Sequence, residues 1–475
     1  MDSATGMGES SSVEDSPPAL AAPEIRNYGS LLTHGAHGPR SLALRLARTG
    51  LGACDPAGVV AEQVSLNGTG FHVAGEHYKL HPEGRVVLLG SGKATLTIAA
   101  ALERALGERL SGGVVVVRHA AGPVLRKVQV VEASHPIPDS RSHAAARVLL
   151  LTASELTDRD VLLACFTGGS SALASLPPEG VSHAEKAELH RQLLSVGMPI
   201  TEVNTVRKQV SAIKGGRLAH AARRARIINL TVSDVAGDLL DAITDPTVPN
   251  RSSARDAIEV LRAYGLWDSM PASIRDTLTD PRRFEPDLSG VHIQSELLVT
   301  GEAACEAMSA EAALGGAEPI VLGTGLEADA VALGGMIGQI AAESATLGRP
   351  FPPPAVLLGC GGESTVRLDD DVQFGRGGPN REAALAAACR ISGLEVAAVF
   401  LDTDGGDGGG DAAGAVVDGQ TLARAAGAGV DVRSALAEHT SGEAFAGLED
   451  AVITGPTHTN VNDLFAVAIG GRRLV

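Results

Sequence analysis

Residues 85–107 read RVVLLGSGKATLTIAAALERALG. After Arg85, VVLLG is a short apolar run of the kind that forms a strand buried on both faces. A Gly-Ser-Gly-Lys turn follows, and from residue 94 apolar positions recur at helical spacing. Strand, glycine-rich turn and helix in succession form the building unit of a parallel sheet.

The same unit recurs on either side. SLALRLARTGL, from residue 41, has the pattern of an amphipathic helix. GGVVVVR (112–118), KVQVVEA (127–133), DVLLACF (160–166) and RARIINLTVSDV (224–235) carry strand-like runs, and HAAARVLLLTASEL between them is helical in pattern. After residue 354 come the strand-like AVLLGCGGES, the helical REAALAAACRI, then EVAAVFLDTDGG and AVITGPTHTN. The fold class is therefore α/β, and 475 residues exceed one ordinary core, so two domains are expected. Residues 1–30, rich in Ser, Pro, Glu and Ala, read as a disordered tail without the features of a signal peptide. Residues 265–290 and the proline run RPFPPP (349–354) are the candidate boundaries.

Composition narrows the function. Acidic residues outnumber basic ones, 39 − 56 = −17, which argues against nucleic acid or an anionic membrane as partner. No run of about 18 apolar residues suggests a membrane span. The five cysteines form no CxxC pair and read as buried, reduced thiols of a cytoplasmic protein. Only six residues are lysine, against 33 arginines, so Lys93 and Lys214, each beside a glycine-rich turn, stand out.

Four buried strands end in a Gly- or Ser/Thr-rich turn: LLGSGKA (88–94), CFTGGSSAL (165–173), LLGCGGEST (357–365) and ITGPTHTNVND (453–463). Glycine lets backbone approach a ligand, and a helix start offers unpaired N–H groups to an anion. The better-known templates fail. GSGKA has Val87 and Ala94 where a P-loop needs Gly and Ser or Thr, and Thr95 where a dinucleotide fingerprint needs Gly. GGSSAL has Leu173 where a nucleophile elbow needs Gly. DTDGGDGGGD (402–411) has Ala413 where a calcium loop needs Glu. What remains suits phosphoryl transfer, which needs a cation to spread charge and carboxylates for a metal ion or the hydroxyl proton. Lys93 supplies the cation. TVRKQVSAIKGGRLA (205–219) reads as a helix with Arg207, Lys208, Lys214 and Arg217, ending at the Gly-Gly pair. Asp234, at a strand end beside Ser233, is the first carboxylate candidate, with Asp238 as a metal ligand or helix cap. Glu363, Asp404 and Asp407 offer the same from the second half. His135, in SHPIPD, reads as a turn residue.

Together GSGKA, SHPIPDSRSHAAA, TGGSSALASLPPEGVS, EVNTVRKQVSAIKGGRLA, VSDVAGDLLDAITDPTVPN, GGESTV, DTDGGDGGGDAAGA and GPTHTNVNDL resemble, in order and spacing, the glycerate 2-kinase family, formerly also labelled hydroxypyruvate reductase. The resemblance runs from about residue 35 to 475. It implies a larger N-terminal Rossmann-like parallel-sheet domain (31–285), a smaller C-terminal MOFRL-like α/β domain (286–475) and an active-site cleft between them. It implies transfer of phosphate from ATP to the 2-hydroxyl of D-glycerate with Mg2+, and it allows a homodimer. Lys93 and Asp234 fall at the catalytic positions. The candidate residues are then Gly168, Gly169, Ser170, Ser171 and Lys214 for nucleotide phosphate, Asn380, Arg381, Thr459 and Asn460 for substrate, and Asp234 and Asp238 for metal. The chain departs from the family at Asp245, at Asp402 and at Pro379, which replaces an arginine; Arg381 is expected to take that arginine's place. A kinase of a related hydroxy acid, a weakened sugar-acid-binding homologue and a reductase are the alternatives, the last disfavoured by the missing dinucleotide fingerprint.

Overall fold

The computed structural model describes residues 22–473 except 121, 197, 233–239, 241, 242, 244, 368–374 and 409. The first sheet has six parallel strands: Val86–Ser91, Gly112–Val117, Val128–Glu132, Val161–Phe166, Arg226–Thr231 and Ile293–Leu297. In space they run in the order 3-2-1-4-5-6. The two central strands, Val86–Ser91 and Val161–Phe166, are buried along their whole length. Their β-branched and leucine-rich runs have helices on both faces, as a parallel sheet requires. Helix Thr95–Leu106 covers one face through Ile98 and Leu102, and helix Ser140–Ser154 covers the other through Ala146 and Leu149. Helices His183–Ser195, Ile200–Gln209, Ala254–Ala263 and Ala272–Thr279 form a lobe with its own core of Leu189, Val206, Leu261 and Ile274. A three-stranded antiparallel ribbon over residues 64–79 is attached to this half.

The second sheet is mixed, in the order Glu318–Gly323, Ala355–Gly362, Asp463–Arg473, Leu394–Asp402, Gly414–Asp418, Ala451–Val452. Only its first pair is parallel. Strand periodicity sorts the central strand Asp463–Arg473 cleanly. Leu464, Ala466 and Ala468 face helix His37–Ala53, while Phe465, Val467 and Ile469 face helices Ala330–Leu347 and Pro379–Ile391. Helix Ala330–Leu347 is long and apolar enough to cross a bilayer, but here Leu333, Ile337 and Ala341 pack into that second core.

Several expectations need correction. The sixth strand of the first sheet, Ile293–Leu297, lies beyond residue 285, and helix His37–Ala53 lies on the second sheet although it opens the first half. Residues 265–290 contain helix Ala272–Thr279, and the proline run at 349–354 joins a helix to a strand within the second half. Part of the expected tail is docked. Ile25 is buried, the Arg26 N–H donates to the Ile453 carbonyl at 2.8 Å, and Asn27 Nδ2 donates to the Ala451 carbonyl at 2.8 Å. The helix expected over 205–219 and ending at the Gly-Gly pair stops earlier, at Gln209. The chain turns through Gly215 and Gly216, both at positive φ, before restarting at Arg217–Ala221. Four cysteines are buried thiols, but Cys389 is exposed.

Candidate active site

In a doubly wound sheet, ligands bind beyond the carboxyl ends of the strands where the order reverses, here between Val86–Ser91 and Val161–Phe166. The two glycine-rich turns meet at that point. The Lys93 N–H donates to the Gly168 carbonyl at 2.9 Å, the Ala94 N–H to Thr167 Oγ1 at 3.2 Å, and the Ser91 and Ser170 hydroxyls share a 2.6 Å hydrogen bond. Gly92 has φ +141°, and a Cβ there would lie 2.1 Å from Thr167 Oγ1, so only glycine allows the turns to touch.

The second half closes over this crevice. Lys93 Nζ forms an ion pair with Asp404 Oδ2 at 2.7 Å, joining residues 311 positions apart. Asp404 follows strand Leu394–Asp402 in a tight loop: its N–H donates to Asp402 Oδ1 at 2.8 Å, and its own Oδ1 accepts from the Gly406 N–H at 2.9 Å. The GPTHTN segment is laced to the same loop. Thr403 Oγ1 donates to the Asn462 carbonyl at 2.8 Å and accepts from the Val461 N–H at 2.9 Å. Thr457 Oγ1 donates to the Thr403 carbonyl at 2.5 Å. The remaining glycine-rich turn joins through Asp463, whose Oδ2 accepts from the Ser364 N–H at 2.7 Å and the Ser364 hydroxyl at 2.5 Å. All four turns singled out in the sequence thus belong to one connected assembly.

Its acidic side carries more negative charge than it can easily hold. Burial pushes the Asp463 carboxyl up to about 6, against the hydrogen bonds from Ser364 and Asn380. Burial, then Asp404 and Asp463, push Asp402 well above the usual carboxylate range. On the opposite side, burial and then the charges of Lys93, Arg118 and Arg207 press His135 down to about 4, with Asp404 opposing, so its ring is neutral at pH 7. Gly169, at φ +86°, accommodates that ring, since a Cβ there would lie 3.2 Å from His135 Cδ2.

Beside the Thr167–Ser171 turn lies a cavity of about 240 Å3. Gly168, Gly169, Ser170 and Ser171 line it, as do His135, Asn204, Arg207 and Asp245. The carboxylate of Asp245 is turned into the wall, accepting from the Thr247 N–H and Thr247 Oγ1, each at 2.6 Å, and from Asn229 Nδ2 at 3.2 Å.

The structure separates the other sequence candidates. Lys214 does not line the cavity. It is 0% exposed, its Nζ has no hydrogen-bond partner among the described residues, and burial and then Arg207 push it down to about 7. Arg217, from the same basic cluster, ties the turn by donating to the carbonyls of Lys208 at 3.0 Å and Lys214 at 2.9 Å. Arg381 is buried and held by Asp407: its Nε donates to Oδ2 at 2.9 Å, while the Asp407 carboxylate also accepts the Asn380 and Arg381 N–H groups, both at 3.0 Å. Its fork is thus committed to structure, and proximity in sequence to Pro379 does not make it a replacement for an arginine there. Asn380 Nδ2 donates to Asp463 Oδ1 at 2.6 Å, and Asn460 Oδ1 accepts from the Asn462 N–H at 3.1 Å. Thr459 is buried, with no hydrogen-bond partner for its hydroxyl among the described residues. Asp234 and Asp238 lie outside the described residues. Sequence reasoning missed Asn204, which carries no signal beyond its place in EVNTVRKQ, and gave His135 only a turn's role, although the proline after it and the nearby GGSS turn place it at a strand end.

Comparison with known proteins agrees with this architecture. Residues 42–279 match the family described as a domain of unknown function, DUF4147, and residues 356–463 match the MOFRL family. A glycerate 2-kinase of Pyrococcus horikoshii is 38% identical over 91% of this chain and 98% of its own length. A protein of Agrobacterium vitis, provisionally named hydroxypyruvate reductase, is 40% identical over 82% of this chain and 100% of its own. The crystal structure of a Thermotoga maritima glycerate kinase superposes with a TM-score of 0.77 at 33% identity, covering 90% of this chain and 98% of that one. The chain belongs to the glycerate kinase family, in which a DUF4147 unit precedes a MOFRL unit.

Proposed function

We propose that this chain is a cytoplasmic, ATP-dependent glycerate 2-kinase that moves the terminal phosphoryl group of ATP to the 2-hydroxyl of D-glycerate. The observation that carries the reading is Lys93, set on a glycine-rich turn at the crevice of a doubly wound sheet and facing a carboxylate of the opposite half at 2.7 Å. Phosphoryl transfer depends on positioning and on charges placed where charge develops. Lys93 would exchange Asp404 for the transferring phosphoryl, and the Gly168–Ser171 turn would hold the neighbouring phosphate oxygens. The acceptor hydroxyl attacks phosphorus, its proton passes to a carboxylate, and ADP leaves. Asp234 is the proposed base and Asp238 a proposed metal ligand.

Mg2+ fits the described residues as an ion carried in on the nucleotide. Among them no group of three or more His, Cys, Asp or Glu side chains is arranged to hold a metal alone. Mg2+ is commonly held by one or two carboxylates together with substrate phosphates. Asp402 and Asp404 supply hard oxygen donors, and a divalent cation would offset the upward push on Asp402 that comes from burial and then from its acidic neighbours. When bound, Mg2+ would neutralise charge on the phosphates.

The test is ADP formation across a panel of hydroxy acids, with and without excess chelator, alongside NAD(P)H consumption with hydroxypyruvate. ADP release with D-glycerate, yielding 2-phosphoglycerate and abolished by chelator, is the expected result. NAD(P)H oxidation without ADP formation would overturn the reading.

A further inference from the structure

We propose that Asn27 is a positioning residue of the active site, its side-chain amide fixing the 453–463 turn against the loop that carries Asp404, a role that rests on the kinase reading.

The turn starts from a slender support. It leaves strand Ala451–Val452, the two-residue strand at the edge of the second sheet. Backbone groups along a strand point alternately to its two sides. On the inner side the Asp450 carbonyl accepts from the Val416 N–H at 3.0 Å, and the Val452 carbonyl accepts from the Ala413 N–H at 2.8 Å. On the outer side, the segment before the first helix takes up the groups of Ala451 and Ile453. Asn27 Nδ2 donates to the Ala451 carbonyl at 2.8 Å, and Asn27 Oδ1 accepts from the Ile453 N–H at 3.0 Å. The Arg26 N–H donates to the Ile453 carbonyl at 2.8 Å. One side-chain amide thus acts as a neighbouring strand would, with a donor and an acceptor side by side. Buried Ile25 anchors the segment that presents it.

The shape of the turn has to be enforced from outside. Gly455, His458 and Asn462 sit at φ +64°, +58° and +61°. His458 and Asn462 carry side chains in the left-handed region, a conformation kept only where the surroundings impose it. Thr403 holds the carboxyl end through its bonds to Val461 and Asn462. Asn27 holds the amino end. Arg26 adds a wall there, its guanidinium covering Gly455 so that a Cβ at 455 would lie 2.5 Å from Cζ.

The brace places the second half's share of the site. A Cβ on Gly405 would collide with the Gly455 carbonyl, and the Thr457 N–H donates to the Asp404 carbonyl at 3.3 Å. The turn is therefore seated directly on the loop of Asp404, the partner of Lys93. Thr459 belongs to the same turn, 1% exposed, its hydroxyl without a hydrogen-bond partner among the described residues. A buried unpaired hydroxyl is a group that a substrate oxygen would satisfy.

Hydrogen exchange and steady-state kinetics on the full-length protein decide the matter. In Asn27→Leu, similar in shape but without the amide, backbone exchange across 453–462 should quicken on the order of 10-fold, the worth of one hydrogen bond, with Val86–Ser91 unchanged. The kcat/KM for D-glycerate should fall on the order of 10–100-fold, as for a misplaced site, while KM for ATP stays within about twofold because the Gly168–Ser171 turn lies in the first half. Asn27→Gln, which keeps the amide, should recover part of the loss. If Asn27→Leu does not fold, Asn27→Asp, polar at this partly exposed position, takes its place. Unchanged exchange across 453–462 would overturn the brace. Faster exchange with normal kinetics, or lost stability with kcat and both KM values intact, would make Asn27 structural only; each of these results leaves the kinase reading standing. Wild-type protein that forms no ADP with any hydroxy acid would sink the kinase reading and this role with it.

Discussion

Replacing Lys93 with alanine separates catalysis from stability, because the structure sets very different magnitudes for the two. The ion pair between Lys93 and Asp404 is partly open to solvent, with side-chain exposures of 32% and 20%. Pairs that water can screen contribute about 0–1 kcal/mol. The Lys93 backbone, not its side chain, ties the two glycine-rich turns together, and alanine keeps that N–H. The folded state should therefore lose no more than about 1 kcal/mol. Loss of one preorganised charge from a transition state typically costs on the order of 10²–10³ in kcat. Arginine should not restore the rate, since a planar fork cannot occupy the place of a compact ammonium. Coupled ADP-release kinetics and chemical denaturation of the same preparations make the comparison. A kcat within about threefold of wild type would refute the assignment of Lys93 to the chemistry. A large loss of stability at near-normal kcat would make Lys93 a strut between the two halves.

Three further outcomes are expected. Arg40→Met should cost about 3–5 kcal/mol of stability while sparing KM in the cold, because Arg40 is fully buried, pairs with Asp418 at 2.8 Å and with Asp450, and leaves buried carboxylates behind; a denaturation shift under about 1 kcal/mol would contradict this. Arg381→Ala should act the same way through buried Asp407, so a tenfold rise in glycerate KM without a stability loss would return Arg381 to the substrate. His135, held near 4 in the folded chain against 6.5 when exposed, lets the unfolded chain bind more protons between those values, so its share of stability is intact above about 6.5 and is lost as pH falls toward 4. Asp463, pushed up to about 6, acts with opposite sign, losing stability as pH rises through the range from about 4 to 6. The wild-type curve mixes the two, and only its difference from His135→Gln isolates the histidine; an unchanged slope in the variant would mean His135 titrates normally.

The central strands were legible because each is an unbroken β-branched or leucine run, as burial on both faces demands. Ile293–Leu297, IQSEL, is an edge strand only partly buried along its length, so no apolar run announces it. The phosphate-type turns were legible from glycine, but their convergence was not. The contact between Lys93 and Asp404 spans 311 positions, and nothing local to either residue encodes the other. Arg381 shows the same limit from the opposite side. Its neighbour Pro379 suggested a substrate role, while the carboxylate that actually holds it lies 26 residues on, in a loop that had been read as a possible site of its own. Charged residues in glycine-rich turns declare that chemistry or structure needs them, and only the partner decides which.

The docking of helix His37–Ala53 on the second sheet has a consequence for biosynthesis. The helix lies against Leu464, Ala466 and Ala468 of a strand made about 400 residues later. At ~5–20 residues per second, the ribosome delivers that strand roughly 20–80 s after the helix emerges. During this interval Leu44 and Leu51, which are fully buried in the finished protein, lack the strand they will pack on, and Arg40 waits for both of its carboxylates. The first half is thus released from the tunnel with an unpaired apolar face, a natural binding site for a chaperone, and the last strand to be synthesised completes the docking surface of the first long helix.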